Sequence, residues 1–207
     1  LINNSILTED GYRLARIPED TQFTIGNIPF GIHHPIDIKI NPATSSMVVS
    51  YNGEKKNPLN NITTSILTKR TYKKDLMNLL SITIPIYQFD RTVSEDTLTK
   101  DLGFTKTYTF NNKFYAARIF HYKDNEWIEM NTTLSNFNYD VDAVTAKIKV
   151  TQDLNQLTVD VPYIYFNRGV IGTKIRVIIY TTLGELEVDV SDISDNSIGI
   201  KYNNIAN

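Results

Sequence analysis

Short runs in which apolar and polar residues strictly alternate recur along this chain, and no other feature narrows its fold as much. Ile36, Ile38 and Ile40 alternate with Asp37 and Lys39, and Val144, Ala146, Ile148 and Val150 with Thr145, Lys147 and Lys149. Leu157, Val159 and Val161 alternate with Thr158 and Asp160, and Leu186, Val188 and Val190 with Glu185, Glu187 and Asp189. Successive strand side chains point to opposite faces, so each run reads as a strand with one face buried and one in water. Ile175 to Tyr180 and Phe114 to Tyr122 are more continuously apolar or aromatic, as central strands covered on both faces are. Ile, Val, Thr, Tyr and Phe suit a pleated surface and build helices poorly. Gly, Pro, Asn and Asp cluster between the runs, at the spacing of turns.

Helical signals are few. Ser94 is placed to cap a short helix carrying Glu95 and Asp96 in its first turn and ending at Gly103. Tyr72, Leu76, Leu79 and Leu80 have helical spacing, but Leu80, Ile82, Ile84 and Ile86 alternate like a strand, and the pattern leaves both readings of 72–80 open. Asn52-Gly53 is a hairpin signal, and Pro85 and Pro162 mark strand edges, bulges or starts. The expected fold is mainly β: antiparallel strands in two β-rich, sandwich-like lobes with few short helices. The polar, acidic stretch from Asp90 to Gly103 is the best linker, which divides the chain into a lobe at 1–92, a linker or short helix at 93–104 and a second lobe at 105–207, with a single domain as the alternative.

Composition bounds the chemistry. Of 207 residues, 41% are hydrophobic, enough apolar surface for a real core. Lys and Arg number 21 against 23 Asp and Glu, so a generic nucleic-acid partner is not expected, because phosphate neutralisation needs a basic surplus. The absence of cysteine removes disulfides, thiolate metal sites and cysteine nucleophiles, and fits folding in a reducing compartment. No apolar run is long enough to cross a bilayer as a helix, so no membrane partner is expected. The first residues lack a signal-peptide pattern and an initiator Met, and the chain is expected to be a fragment or trimmed. The sequons at Asn3, Asn61 and Asn131 read as chance in an Asn-rich chain.

Residues that carry chemistry are sparse. The glycines form neither a dinucleotide fingerprint nor a P-loop, and no nucleophile elbow is present. His33-His34 precedes Pro35 and reads as a turn, since adjacent strand side chains face opposite ways; His121 reads as a strand histidine. Glu185, Glu187 and Asp189 share a strand face that suits a hard cation, but this is also how a solvated face looks. Asp140 and Asp142 would serve a glycosidase only with a partner acid across a cleft. No catalytic, cofactor-binding or metal residue is therefore assigned, no cofactor or small-molecule substrate is expected, and the chain is not expected to be an enzyme. What remains is aromatic and basic surface. Tyr163, Tyr165 and Phe166 form one dense group; Tyr108, Phe110, Phe114 and Tyr115 form another; Lys69-Arg70-Thr71-Tyr72-Lys73-Lys74 is the one concentrated basic run. Tyr on a strand face favours protein contact, because it buries much area for little entropy. The candidate interface residues are Tyr163, Tyr165, Phe166, Tyr180, Lys69, Arg70, Lys73 and Lys74.

Several segments taken in order resemble one family. Ile17-Pro18-Glu19-Asp20-Thr21-Gln22-Phe23, Asn27-Ile28-Pro29-Phe30 and Ile84-Pro85-Ile86-Tyr87-Gln88-Phe89 carry the first part. Thr107-Tyr108-Thr109-Phe110, Tyr115-Ala116-Ala117-Arg118-Ile119-Phe120 and Val161-Pro162-Tyr163-Ile164-Tyr165-Phe166 follow, then Gly172-Thr173-Lys174-Ile175-Arg176-Val177 and Tyr180-Thr181-Thr182-Leu183-Gly184. Together they resemble the baseplate wedge proteins of contractile-tailed bacteriophages, of the kind that forms the inner ring of the baseplate. Members of that family are much longer, so the resemblance implies a partial chain. It implies a structural role: contacts with a second copy and with other wedge and tail proteins that hold the baseplate and rearrange when the sheath contracts. It places the protein in the virion tail baseplate, made in the host cytoplasm. The alternative from the residues themselves is a carbohydrate-binding β-sandwich module, which needs two or three coplanar exposed aromatics and finds in the single Trp127 a poor start.

Overall fold

The computed structural model describes residues 6–7, 11–25, 27–41, 43, 46–51, 65–71, 86–98, 103–134 and 143–186. It is mainly β, as the alternation requires, and the chain groups into two compact units: Leu1–Gln88 with Asp189–Asn207, and Phe89–Val188. Among the described residues no helix is long and apolar enough to cross a membrane.

The first unit holds an antiparallel sheet in the order β1 (Ile6–Leu7), β2 (Arg13–Ile17), β5 (Ile36–Asn41), β6 (Ser46–Tyr51), β7 (Ser65–Thr71). A smaller sheet joins β3 (Gln22–Ile25), β4 (Ile28–Gly31) and β8 (Tyr87–Gln88). The Ile36, Ile38, Ile40 alternation does what the sequence implies: all three side chains are buried, with Ala15, Ile17, Ile32, Met47 and Val49. The opposite face of β5 carries a surprise, because Asp37 is also buried. Its direct cross-strand neighbour is Arg16, whose Nε and terminal nitrogen donate to the two carboxylate oxygens at 2.6 and 2.8 Å. Removing the arginine strands a desolvated carboxylate, whereas the arginine itself still reaches water. Arg16→Ala is therefore expected to destabilise this unit by about 3 kcal/mol, the low end for breaking a buried pair; faster hydrogen exchange at the β5 amides would report it, and unchanged exchange would refute it.

The second unit is a sandwich. One sheet runs β12 (Glu126–Glu129), β11 (Lys113–Lys123), β16 (Lys174–Thr182), β9 (Asp90–Thr97), antiparallel throughout. The other runs β10 (Phe104–Thr109), β15 (Gln156–Val161), β14 (Thr145–Thr151), β13 (Asn131–Thr133), with β13 and β14 parallel. Ile119, Ile175, Val177 and Ile179 from the first sheet and Tyr108, Ala146, Leu157, Val159 and Val161 from the second belong to one buried core. The continuously apolar runs are the two central strands, β11 and β16, and residues 177–181 of β16 are all buried, so both faces are covered there. On the opposite face of β16, Ile178 and Tyr180 form a second cluster with Phe89, with Tyr180 edge-on to Phe89 at 5.3 Å.

Asparagine makes many of the turns. Asp124 and Asn125, both at positive φ, close β11 onto β12, and Asn155 at φ 50° turns β14 into β15. Pro162 ends β15 and starts α1 (Tyr163–Asn167), a single turn closed by the Gly169 N–H donating to the Phe166 carbonyl.

One expectation is overturned. Ser94 does not cap a helix, and the stretch read as a linker or short helix begins as a strand: Asp90–Thr97 is an edge strand in register with β16, and β10 starts at Phe104. The acids that read as solvated linker are answered across strands. Glu95 pairs with Arg176, and Asp96 accepts hydrogen bonds from Lys106 and, at 2.6 Å, from the Tyr108 hydroxyl, tying the edges of the two sheets together. Burial pushes the Asp96 carboxyl up, but the bonds from Lys106 and Tyr108 and the Lys106 charge outweigh it and hold the carboxyl below its usual range. Burial and the bond to Asp96 push the Tyr108 phenol far up. The helical or strand reading of 72–80, Asn52-Gly53, Pro85 and the strand expected beyond Leu186 lie outside the described residues.

Candidate interaction face

The register of the sheet β12-β11-β16-β9 decides what its outer face presents. Residues directly opposite each other share a face, so Trp127, Tyr122, Lys174 and Thr97 form one row and Glu129, Phe120, Arg176 and Glu95 the next. The inner face of the same strands carries Ile119, Ile175 and Val177 into the core. The outer rows therefore alternate aromatic and charged groups.

Arg176 organises them. Its guanidinium donates to Glu95 on β9 through Nε at 2.8 Å and through a terminal nitrogen at 2.6 Å. The same group lies 3.9 Å from the centre of the Trp127 ring on β12, so one side chain reaches across all four strands. Trp127 faces Tyr122 with ring centres 5.0 Å apart, and the Lys174 ammonium lies 5.8 Å from the Tyr122 ring. In the neighbouring positions Arg118 donates to both Glu129 oxygens at 2.9 and 2.7 Å while its guanidinium stands 5.0 Å from the Phe120 ring. Both side chains of that bidentate pair are largely shielded, at 17% and 15% exposure, which fixes the pair more firmly than an open surface bridge. Val93, on the same face of β9, is 46% exposed. The result is a preordered patch of Trp, Tyr, Phe and Arg, the side chains that anchor protein interfaces.

The residues singled out in the sequence are dispersed. Tyr163 is half-exposed and Phe166 is half-buried against the sandwich core. Tyr165 and Tyr180 are corrections: each is only 1% exposed, Tyr165 in the sandwich core with its hydroxyl on the Ala143 carbonyl, Tyr180 in the cluster with Phe89. The helical turn after Pro162 turns Tyr165 inward, and the covered centre of β16 hides Tyr180. Lys69 and Arg70 lie on β7, and Lys73 and Lys74 fall outside the described residues. Asp140, Asp142, Glu187 and Asp189 also fall outside, while Glu185 is exposed. His33 and His34 sit in the bend before β5, with the His33 ring 5.0 Å from that of Tyr87. Among the described residues no group of three or more His, Asp or Glu is placed to hold a metal ion. Arg118, Glu129 and Arg176 were not singled out, and Glu95 reads in the sequence only as a helix first-turn acid; charges alternating with aromatics along β11 and β16 were the available signal, but pairing needs the register. Comparison with family models, curated proteins and solved structures returned no match to this chain.

Proposed function

We propose that this chain is a structural subunit of a contractile phage tail baseplate wedge. It works through contact rather than chemistry. The sandwich is the rigid body, and the Arg176-centred face is its docking surface for a second copy or for other wedge and tail proteins. In this reading the protein resides in the virion baseplate after synthesis in the host cytoplasm, needs no cofactor, and is no enzyme. The order of the family-like segments in the sequence supports the wedge assignment. The observation that carries the docking role is the Arg176 guanidinium, stacked on Trp127 and paired with Glu95. That stack also weighs against the sugar-binding alternative, because it covers a face of the one tryptophan on which a sugar ring would lie.

Arg176→Glu removes the stack and repels Glu95. Tail particles assembled with this variant are expected to hold about tenfold less of the chain or lower, the loss a central interface anchor produces. The purified variant, its unfolding read from Trp127 fluorescence, should lose only about 1 kcal/mol of stability to the like-charge pair, too little to account for the loss from particles. Full incorporation would remove this face from the interface, and glycan-array binding abolished by Trp127→Ala would support the sugar-binding module instead.

A further inference from the structure

The segment between α1 and β16 lies along the end of β11 and is fastened there by bonds of two kinds. Lys123 Nζ donates to the Gly169 and Val170 carbonyls at 2.8 and 3.1 Å, and the Thr173 N–H donates to the Tyr122 carbonyl at 3.0 Å. Between them, the Gly172 N–H donates to Nδ1 of His121 at 3.1 Å. The first three bonds are indifferent to mild acid; the fourth is not. His121 is 2% exposed, with Ile128 and Ile175 as its cross-strand neighbours. Because Nδ1 accepts, the neutral ring carries its proton on Nε2. A second proton must go onto Nδ1, where it points at the Gly172 N–H. Donor then meets donor, and a cation is buried near Lys123.

The surrounding charges do not relieve this. Lys123 follows on the same strand, and Glu126 of β12, opposite Lys123, is exposed. Asp96 of β9 stands at the far end of the same cross-strand row, already bonded to Lys106 and Tyr108. From α1, Tyr165 packs in the same core, and Arg168 at the head of the loop is exposed. An open hollow of about 520 Å³, lined by the Asp124-Asn125 turn and residues 171–173, borders the loop.

We propose that His121 and Gly172 form an acid-released latch, in which protonation of His121 detaches the Gly172 N–H and loosens the loop there while the sheet stays paired. Burial, and secondarily the Lys123 charge, push the His121 imidazole down from its ordinary 6.5 to about 4. The open loop lets the ring titrate normally, so protons favour the open state. The closed latch is at full strength above about pH 6.5 and weakens as pH falls toward 4.

Hydrogen exchange by NMR on the whole chain, corrected for intrinsic rates, tests this. Between pH 7 and pH 4.5 the protection of the Gly172 amide is expected to fall at least about tenfold, while Val177 in the centre of β16 holds its protection. His121→Asn keeps an acceptor at the Nδ1 position but cannot titrate, and its Gly172 protection should not respond to pH. Equal loss at Gly172 and Val177, no loss at Gly172, or the same loss in the asparagine variant would each overturn the latch. Should that variant fail to fold, the comparison of Gly172 with Val177 in the wild type decides the matter alone.

Discussion

Gly172→Ala is expected to destabilise the second unit by about 3–5 kcal/mol. A Cβ at this position would stand 1.6 Å from the Tyr122 carbonyl oxygen, 2.3 Å from its carbon and 2.9 Å from the Lys123 nitrogen. All three are backbone atoms of a central strand, so no rotamer change relieves the overlap. The loop must withdraw, and in doing so it gives up the bonds from Gly172 to His121 and from Thr173 to Tyr122. Overpacking costs about 1–3 kcal/mol and a stranded buried donor a similar amount. Gly169 is the internal control. It has a positive φ of 62° but open space around its Cα, so Gly169→Ala should cost only about 1 kcal/mol of backbone strain. Urea denaturation followed by the fluorescence of Trp127, which lies in this unit, separates the two. Equal midpoints for the two variants would contradict the close approach.

The second large effect concerns Tyr165, which the sequence offers as an interface residue and the fold places in the core. Tyr165→Ala removes a fully buried ring and is expected to cost about 3–5 kcal/mol, lowering the unfolding midpoint. Tyr165→Phe keeps the ring, gives up the 3.3 Å bond to the Ala143 carbonyl and should cost about 1 kcal/mol. Any defect of the alanine variant in assembly should follow its loss of folded protein. A variant that melts like wild type yet fails to associate would return Tyr165 to the surface.

These two residues show what a sequence pattern can carry. Period-two alternation located β5, β14 and β15, because a half-buried strand writes its burial directly into the order of residues. Continuous apolar runs located β11 and β16 as central strands, but only β16 is covered on both faces, at residues 177–181; β11 keeps an open outer face. The clustering of Gly, Pro, Asn and Asp pointed to turns in general, and Asn125 and Asn155 make two of them because asparagine tolerates positive φ. The pattern failed where burial comes from partners distant in sequence. The acids of β9 read as solvent-facing because Arg176 and Lys106, which neutralise them, meet them only in the folded register. Tyr165 and Tyr180 read as surface because aromatic density does not distinguish an anchor from a core ring. The Arg176 face was invisible for the same reason: its members come from β9, β11, β12 and β16, and only the cross-strand register assembles them.

The central claim is that the protein acts as a fixed part of a large tail assembly. Sedimentation of the native protein from its source lysate, detected by antibody, tests it most directly. The expected result is co-migration with tail-like particles of megadalton size, with little of the protein at the top of the gradient. A small species sedimenting alone, with none in the particle fractions, would contradict it.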